Sequence, residues 1–130
     1  AEAASSSTKF ITSASDWLSE PDNTLWSGDN AQGPCPDGWR VPTADELSVL
    51  SFGTSTNRLA IAGTVPGEYL YLPAAGGCYS SGGWYAQGSG GHYWSSTVNG
   101  TNAKYLTFYG TPNVTALNRA YGFSVRCIQK

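Results

Sequence analysis

Three cysteines and a single histidine are the side chains of this sequence best suited to metal binding or nucleophilic chemistry. Cys35, Cys78 and Cys127 are an odd number and include no CxxC pair, whereas structural zinc sites usually have four ligands that come in closely spaced pairs. His92 could serve Cys78 as a base, but no third group is evident that would orient the imidazole. We therefore expect no metal site and no enzyme activity, and we interpret His92 as a contact residue.

The charge distribution restricts the ions and partners that the chain could bind. All nine acidic residues lie between Glu2 and Glu68, so the second half contains no carboxylate side chain. Calcium requires several oxygen ligands, many of them carboxylates, and we predict no calcium ion or other cofactor in that half. A net charge of −2 argues against a nucleic-acid partner. No long apolar run is present, so we expect no membrane insertion.

Two stretches have the composition of a binding surface. Tyr, Ser, Gly, Asn and Thr dominate residues 76–91 and 105–121. Rigid amphipathic rings combined with small adaptable polar groups are typical of antibody paratopes. Singly exposed aromatic residues are also normal on soluble proteins, but several of them on one strand and its adjoining loops favour binding.

Alternating side chains predict how the second of these stretches is positioned. Leu106 and Phe108 alternate with Tyr105, Thr107 and Tyr109. In an extended strand, successive side chains point to opposite faces. We therefore expect one face of this strand to lie in the core and the other face to be displayed.

One helix is predicted by its start signal. Thr43 and Glu46 form a capping box, Leu47 and Leu50 give an apolar stripe, and Gly53 is a plausible end. Alternation predicts strands at residues 9–12, 68–72 and 121–127, whereas the apolar segment 57–62 is ambiguous between helix and strand. The Gly- and Ser-rich residues 75–91 are expected to be an ordered exposed loop, and residues 1–8 a flexible linker.

Four blocks in this order resemble a known family: PCPDGWRVPT at 34–43, LYLPAAG at 70–76, YWSST at 93–97 and YGFSVRC at 121–127. The family is the Fibrobacter succinogenes major paralogous type of domain, and especially its retroelement-diversified relatives in gut bacteria and their phages. The resemblance spans residues 9–130. It implies an α+β class and a C-type lectin-like fold, a single domain with short antiparallel strands, one or two helices and long ordered loops.

The resemblance also implies how the two ends of the domain meet. Residues 9–12 would pair with residues 123–128, and the helix over 43–52 would pack on that sheet. Cys35 and Cys127 would then be neighbours. Two states are open: a disulfide, which would stabilise the domain by about 4–5 kcal/mol, or two reduced buried thiols in a reducing compartment.

In the retroelement-diversified relatives, mutagenesis at template adenines rewrites a ligand-facing surface. The positions that match such sites are Tyr79, Ser80, Ser81, Tyr85, His92, Tyr105, Thr107, Tyr109, Thr111, Asn113, Thr115, Leu117, Asn118 and Tyr121. Trp84 departs from the pattern, because no adenine change in an asparagine codon gives tryptophan. It would be a fixed scaffold anchor or a fixed contact.

These observations lead to two hypotheses. The first is a calcium-independent ligand-binding domain, a hypervariable receptor-binding or adhesin module on a phage tail or a bacterial cell surface, with a protein or glycan receptor as partner. The alternative is a fixed carbohydrate-binding or structural module of a bacterial surface lipoprotein. The sequence leaves the ligand and the oligomeric state open.

Overall fold

A computed structural model describes residues 15–18, 20–28, 31–50, 52–55, 58–62, 69–109 and 111–130, and for 52–55, 58–62 and 69 it describes the backbone. The predicted linker at 1–8 and the predicted strand at 9–12 lie outside the described residues. The elements in chain order are β1 (Trp39–Arg40), α1 (Ala44–Ser48), β2 (Phe52–Ser55), β3 (Arg58–Ala62), β4 (Tyr69–Pro73), β5 (Gly77–Cys78), β6 (Trp84–Tyr85), β7 (Gly91–Asn99), β8 (Asn102–Phe108), β9 (Pro112–Asn118) and β10 (Ile128–Gln129).

The described strands form four small antiparallel sheets. Their orders are β1-β10, β2-β3-β4, β5-β6 and β7-β8-β9. The ambiguous segment at 57–62 is a strand, and the strand predicted at 68–72 is confirmed as β4. The β7-β8-β9 sheet has the longest strands, of nine, seven and seven residues. It is the sheet against which α1 packs.

The expectation of an α+β class with one or two helices is wrong. The structure is 41% strand and only 5% helix, so this is a mainly-β small domain. The helix is shorter than predicted because a strand begins at Phe52, where the predicted helix would have continued. The helix ends at Ser48, and Gly53, which we expected to stop it, lies in β2 opposite Ala60 of β3. Strand pairing between β2 and β3 therefore overrides the apolar helical stripe.

The helix start is confirmed. The Thr43 hydroxyl accepts a hydrogen bond from the Glu46 amide, and the Glu46 carboxylate accepts one of 2.8 Å from the Thr43 amide. Arg40 of β1 also donates to this carboxylate at 2.7 Å and holds the pKa of Glu46 at about 2. The Ala44 amide donates to the Thr97 hydroxyl of β7 at 2.9 Å. Because the amides of Thr43, Ala44 and Glu46 at its start all have partners, so short a helix can persist.

The predicted core face of β8 is confirmed. Leu106 is 0% exposed and Phe108 is 3% exposed. Across the sheet, Tyr93 of β7 is the direct neighbour of Leu106, and Gly91 is the direct neighbour of Phe108. A Cβ atom at Gly91 would overlap the Phe108 ring, so glycine is what lets this ring lie against β7. The buried cluster consists of Leu47, Leu72, Ala74, Tyr93, Leu106 and Phe108.

The C-terminal segment crosses the domain without forming the continuous strand predicted at 121–127. It makes isolated bridges instead: Gly122 exchanges backbone hydrogen bonds of 2.8 and 2.9 Å with Cys78, and Ser124 bonds to His92 and Trp94 of β7. Only Ile128–Gln129 forms a strand, as β10. Because this segment pairs first with Cys78 and then with β7, each time over one or two residues, it forms no continuous strand with either.

A disulfide closes the domain near its C-terminus. The structure joins Cys35 to Cys127 across a sequence separation of 92 residues, and Cys78 is a buried free thiol. The bond holds the segment before β1 against the segment before β10. Since β1 and β10 pair over only two residues, the disulfide contributes much of the constraint at this end.

Removal of this disulfide should lower the free energy of unfolding by about 4–5 kcal/mol, because a bridge over so long a loop restricts the unfolded chain. The measurement is chemical denaturation of the parent protein and of the Cys35→Ser/Cys127→Ser variant. A reductant should destabilise the parent and leave the double variant unchanged. Three titratable thiols in the unreduced, denatured parent, instead of the one contributed by Cys78, would contradict the assignment.

Candidate ligand-binding surface

His92 lies on β7, on the face of the sheet opposite the core. Its side chain is buried at 3% exposure. Its Nδ1 atom is 3.1 Å from the Thr107 hydroxyl and its Nε2 atom is 3.2 Å from the Tyr109 hydroxyl. Since both hydroxyls can donate or accept, either neutral tautomer is fully hydrogen-bonded. Burial lowers the pKa of His92, which favours this neutral form.

Aromatic rings surround the imidazole and define what we call the His92 cluster. Phe123 stacks on it with ring centroids 4.9 Å apart, and the rings of Tyr85, Tyr109 and Tyr105 follow at 5.2, 5.5 and 6.0 Å. These rings come from β8 and the residue directly after it, from the β5-β6 hairpin and from the C-terminal segment. The members of the His92 cluster are Tyr79, Tyr85, His92, Tyr105, Thr107, Tyr109, Tyr121 and Phe123.

The outer part of the His92 cluster faces solvent. Tyr79 stacks on Tyr85 at 4.4 Å and meets the edge of Tyr121 at 6.1 Å. Tyr109 is 60% exposed and Tyr79 is 45% exposed. Burial raises the pKa of Tyr85, Tyr105 and Tyr109, and neighbouring phenols add to that rise, so these rings are uncharged at neutral pH. The surface can therefore stack on a ligand and exchange hydrogen bonds with it, without carrying charge.

The face of β8 that we expected to be displayed is partly covered. Tyr105 is half-buried and packs between Trp94 at 5.5 Å and Phe123 at 4.8 Å. Trp94 itself is 5% exposed. Large rings from outside the sheet, such as Phe123, therefore bury apolar area on this face, in addition to the area buried on the core face. The exposed surface is therefore the outer edge of a second packed layer that β8 supports. We call this edge the rim, and Tyr79 and Tyr109 are its exposed members in the His92 cluster.

The β5-β6 hairpin carries the tyrosines of the Gly-rich stretch, in agreement with an ordered loop. Backbone hydrogen bonds of 2.9 Å join Tyr79 to Gly83 and Gly82 to Tyr79. Gly82 and Gly83 both have positive φ, of 82° and 95°, which glycine adopts without a Cβ clash. Ser80, Ser81 and Trp84 lie around this turn, and Trp84 is 56% exposed.

Strand β9 extends the surface beyond the His92 cluster. Asn113 is the direct neighbour of Thr107, and Thr115 is the direct neighbour of Tyr105, and both are exposed. Thr111 is exposed just before the strand. Directly opposed residues share a face of the sheet, so these positions continue the rim.

The expectation that His92 is a contact residue does not fit its burial at 3% exposure, and two further candidate positions are not brought to the rim either. Leu117 and Asn118 pair with Ala103 and Asn102, at the end of the sheet away from His92. Both are half-buried, and the Asn118 side chain accepts a hydrogen bond of 2.8 Å from the Ala120 amide. This bond shapes the turn after β9, which is a structural role.

Phe123 and Trp94 are site residues that sequence reasoning assigned only to the scaffold. Phe123 touches His92, Trp94 and Tyr105 at once, with centroid distances of 4.9, 4.5 and 4.8 Å. Their partners are distant in the chain, and no local pattern signals them. Within the described ranges, no cluster of three or more His, Cys, Asp or Glu side chains could hold a metal ion. In the same ranges, no helix is long and apolar enough to cross a membrane.

Comparison with known proteins provides no relative for this chain: no family model, no curated protein and no solved structure matches it. The functional argument therefore depends on the residues and their arrangement.

The titration of His92 is a direct test of this packing, because it is the only histidine in the chain. Its pKa is lowered in the folded protein, so between that value and the ordinary value of about 6.5 the unfolded chain binds more protons. The free energy of unfolding should therefore fall as pH decreases below about 6.5. We expect the imidazole proton resonances in NMR spectra to titrate with a midpoint below that value. A midpoint at or above 6.5 would contradict burial, and a His92→Gln variant should lack this part of the pH dependence.

Proposed function

We propose that this chain is a calcium-independent ligand-binding domain that presents the rim of the His92 cluster and β9 to a receptor on a cell surface. The observation that carries the proposal is the convergence of five tyrosines: Tyr85, Tyr105 and Tyr109 surround one buried imidazole, Tyr79 packs on Tyr85, and Tyr121 packs on Tyr79. These tyrosines come from stretches that are far apart in the sequence. All five match variable positions in the retroelement-diversified proteins that the sequence resembles.

The arrangement suits a surface whose residues can be exchanged. Exposed positions such as Thr111, Asn113 and Thr115 pack little, and substitutions at such positions usually change stability by less than about 0.5 kcal/mol. Buried positions such as His92 and Trp94 hold the rim in place. Within the proposal, diversification would act on the rim, and the four motif blocks would remain as the scaffold.

The binding chemistry would be short-range. The exposed tyrosines present ring faces and neutral hydroxyls, and no carboxylate side chain occurs after Glu68. Aromatic stacking and hydrogen bonds are weakly affected by salt, unlike interactions between exposed charges. The proposed receptor is accordingly a protein or glycan surface that is recognised by shape and hydrogen bonding.

Trp84 supports the second candidate function, a fixed carbohydrate-binding module. Its indole is 56% exposed on β6, next to the tyrosines of the hairpin. A flat exposed ring can stack on a sugar as readily as on a protein side chain. Since tryptophan does not arise by adenine mutagenesis of an asparagine codon, Trp84 would be a constant contact in either case.

Loss of rim tyrosines should weaken receptor binding without unfolding the domain. We expect a Tyr79→Ser/Tyr109→Ser variant to lose at least about tenfold in apparent affinity for intact cells of a gut-bacterial panel, measured by flow cytometry with labelled protein, because exposed tyrosines are common binding hot spots. The matched control is Tyr71→Ser, whose side chain is 42% exposed on β4, outside the His92 cluster.

Equal loss in the double variant and in Tyr71→Ser, or undiminished binding by the double variant, would reject the proposed surface. Periodate treatment of the cells separates the two receptor classes, since it destroys glycans and leaves most protein epitopes in place. Sensitivity to protease with resistance to periodate would favour a protein receptor.

A further inference from the structure

Tyr109 is the most exposed residue of the His92 cluster, and yet its side chain is held at two points. A Cβ atom at Gly90 would overlap the Tyr109 ring, so the ring packs closely against the Gly90 backbone. The Tyr109 hydroxyl lies 3.2 Å from His92 Nε2. A side chain that is already fixed loses little conformational freedom when a partner binds, which favours Tyr109 as a contact residue.

The Tyr109 hydroxyl can present either its hydrogen or only its lone pairs to a receptor, depending on His92. A neutral imidazole has one N–H group and one acceptor nitrogen. If Nε2 carries the hydrogen, it donates to the Tyr109 oxygen, and the phenol hydrogen is free to point outward. If Nδ1 carries the hydrogen, Nε2 accepts the phenol hydrogen, and Tyr109 presents only lone pairs. The tautomer of a buried histidine therefore decides the polarity of an exposed contact.

Thr107 distinguishes the two tautomers. Its hydroxyl lies 3.1 Å from His92 Nδ1, and no second hydrogen bond of this hydroxyl is found in the described part of the chain. An unprotonated Nδ1 accepts the Thr107 hydrogen, whereas a protonated Nδ1 leaves that hydrogen without an acceptor. Thr107 is half-buried and Tyr109 is exposed, so the free hydrogen is better placed on Tyr109, where water or a receptor can accept it. One hydrogen bond favours the Nε2–H tautomer by about fivefold.

The groups around the imidazole are uncharged at neutral pH. Burial lowers the pKa of His92, so the imidazole itself is neutral. The titratable groups that face it are the phenols of Tyr85 from β6 and of Tyr105 and Tyr109 from β8 and its end, and their pKa values are raised by burial. Phe123 of the C-terminal segment has no titratable group. Hydrogen bonding, and not a neighbouring charge, therefore sets the tautomer.

We propose that His92 is a positioning residue that makes Tyr109 a hydrogen-bond donor, so that the rim recognises an acceptor oxygen on its receptor. The hydrogen bonds run in one direction: from the Thr107 hydroxyl to His92 Nδ1, from Nε2–H to the Tyr109 oxygen, and from the Tyr109 hydroxyl to the receptor. This inference rests on the proposed receptor-binding function and adds the polarity of one contact to it. It also gives the buried imidazole a role that does not require contact with the receptor.

The tautomer can be measured in the free chain. In two-bond proton–nitrogen NMR spectra at neutral pH, the protonated and unprotonated ring nitrogens have separate ¹⁵N shifts, and His92 is the only histidine. We expect Nε2 to carry the hydrogen. Thr107→Val removes the hydroxyl at similar size and suits a strand, so the domain should fold while the preference falls by about fivefold. Thr107→Ser keeps the hydroxyl and should keep the parent's tautomer.

An Nδ1–H tautomer in the parent, or the same tautomer ratio in the parent and in Thr107→Val, would overturn the inference. Both results are read without a receptor. A role of Thr107 in packing alone would leave the ratio unchanged in all three chains.

Cell binding tests the donor itself. Tyr109→Phe keeps the ring and removes only the hydroxyl, and we expect it to bind intact cells of the gut-bacterial panel about three- to tenfold more weakly than the parent. Tyr71→Phe is the matched control on β4 and should bind like the parent. Repeating the comparison on periodate-treated cells locates the acceptor oxygen: a difference that disappears places it on a glycan, and one that persists places it on a protein.

The two proposals fail in different ways. If Tyr79→Ser/Tyr109→Ser is weakened and Tyr109→Phe binds like the parent, the rim binds without a hydrogen bond from Tyr109, and only the present inference is rejected. If the double serine variant binds like the parent, the proposed function is rejected, and the receptor contact of Tyr109 with it.

Discussion

The packing of apolar groups on both faces of the β7-β8-β9 sheet is the interaction on which the described structure depends. On one face, Leu106 and Phe108 are almost completely buried, and full burial of such a side chain contributes about 1.5–3 kcal/mol. On the other face, Trp94 and Phe123 pack at 4.5 Å, and His92 stacks on Phe123. Because the second face is filled as well, the sheet can support a solvent-facing rim without being exposed itself.

The two-stranded sheets of the domain are too small to be stable alone and depend on contacts with the rest of the chain. Sheets β1-β10 and β5-β6 have two residues per strand, and isolated two-stranded ribbons are at best marginally stable. The long-range bonds of Gly122 and Ser124 and the Cys35–Cys127 disulfide hold them in place. These long-range hydrogen bonds and the disulfide stabilise a fold that contains little helix.

Sequence patterns within a few residues predicted local structure correctly. Features that depend on pairing between distant parts of the chain could not be predicted in this way. The alternation at 105–109 and the capping box at Thr43 depend on residues within a few positions, and both are present in the structure. The predicted helix length and the predicted α+β class are wrong, because the chain after the helix forms β2 and pairs with β3. The role of Phe123 depends on partners that are distant in the chain, so no periodicity could indicate it.

The central claim is that a fixed scaffold carries replaceable rim positions, and the free energy of unfolding tests it most directly. The comparison is between a Thr111→Ser/Asn113→Ser/Thr115→Ser variant and a Leu106→Ala variant, both measured by chemical denaturation. The account predicts that the triple variant stays within about 1.5 kcal/mol of the parent, since its three sites are exposed. It predicts a loss of about 2–5 kcal/mol for Leu106→Ala, which leaves a core cavity. A triple variant as destabilised as Leu106→Ala would contradict the account.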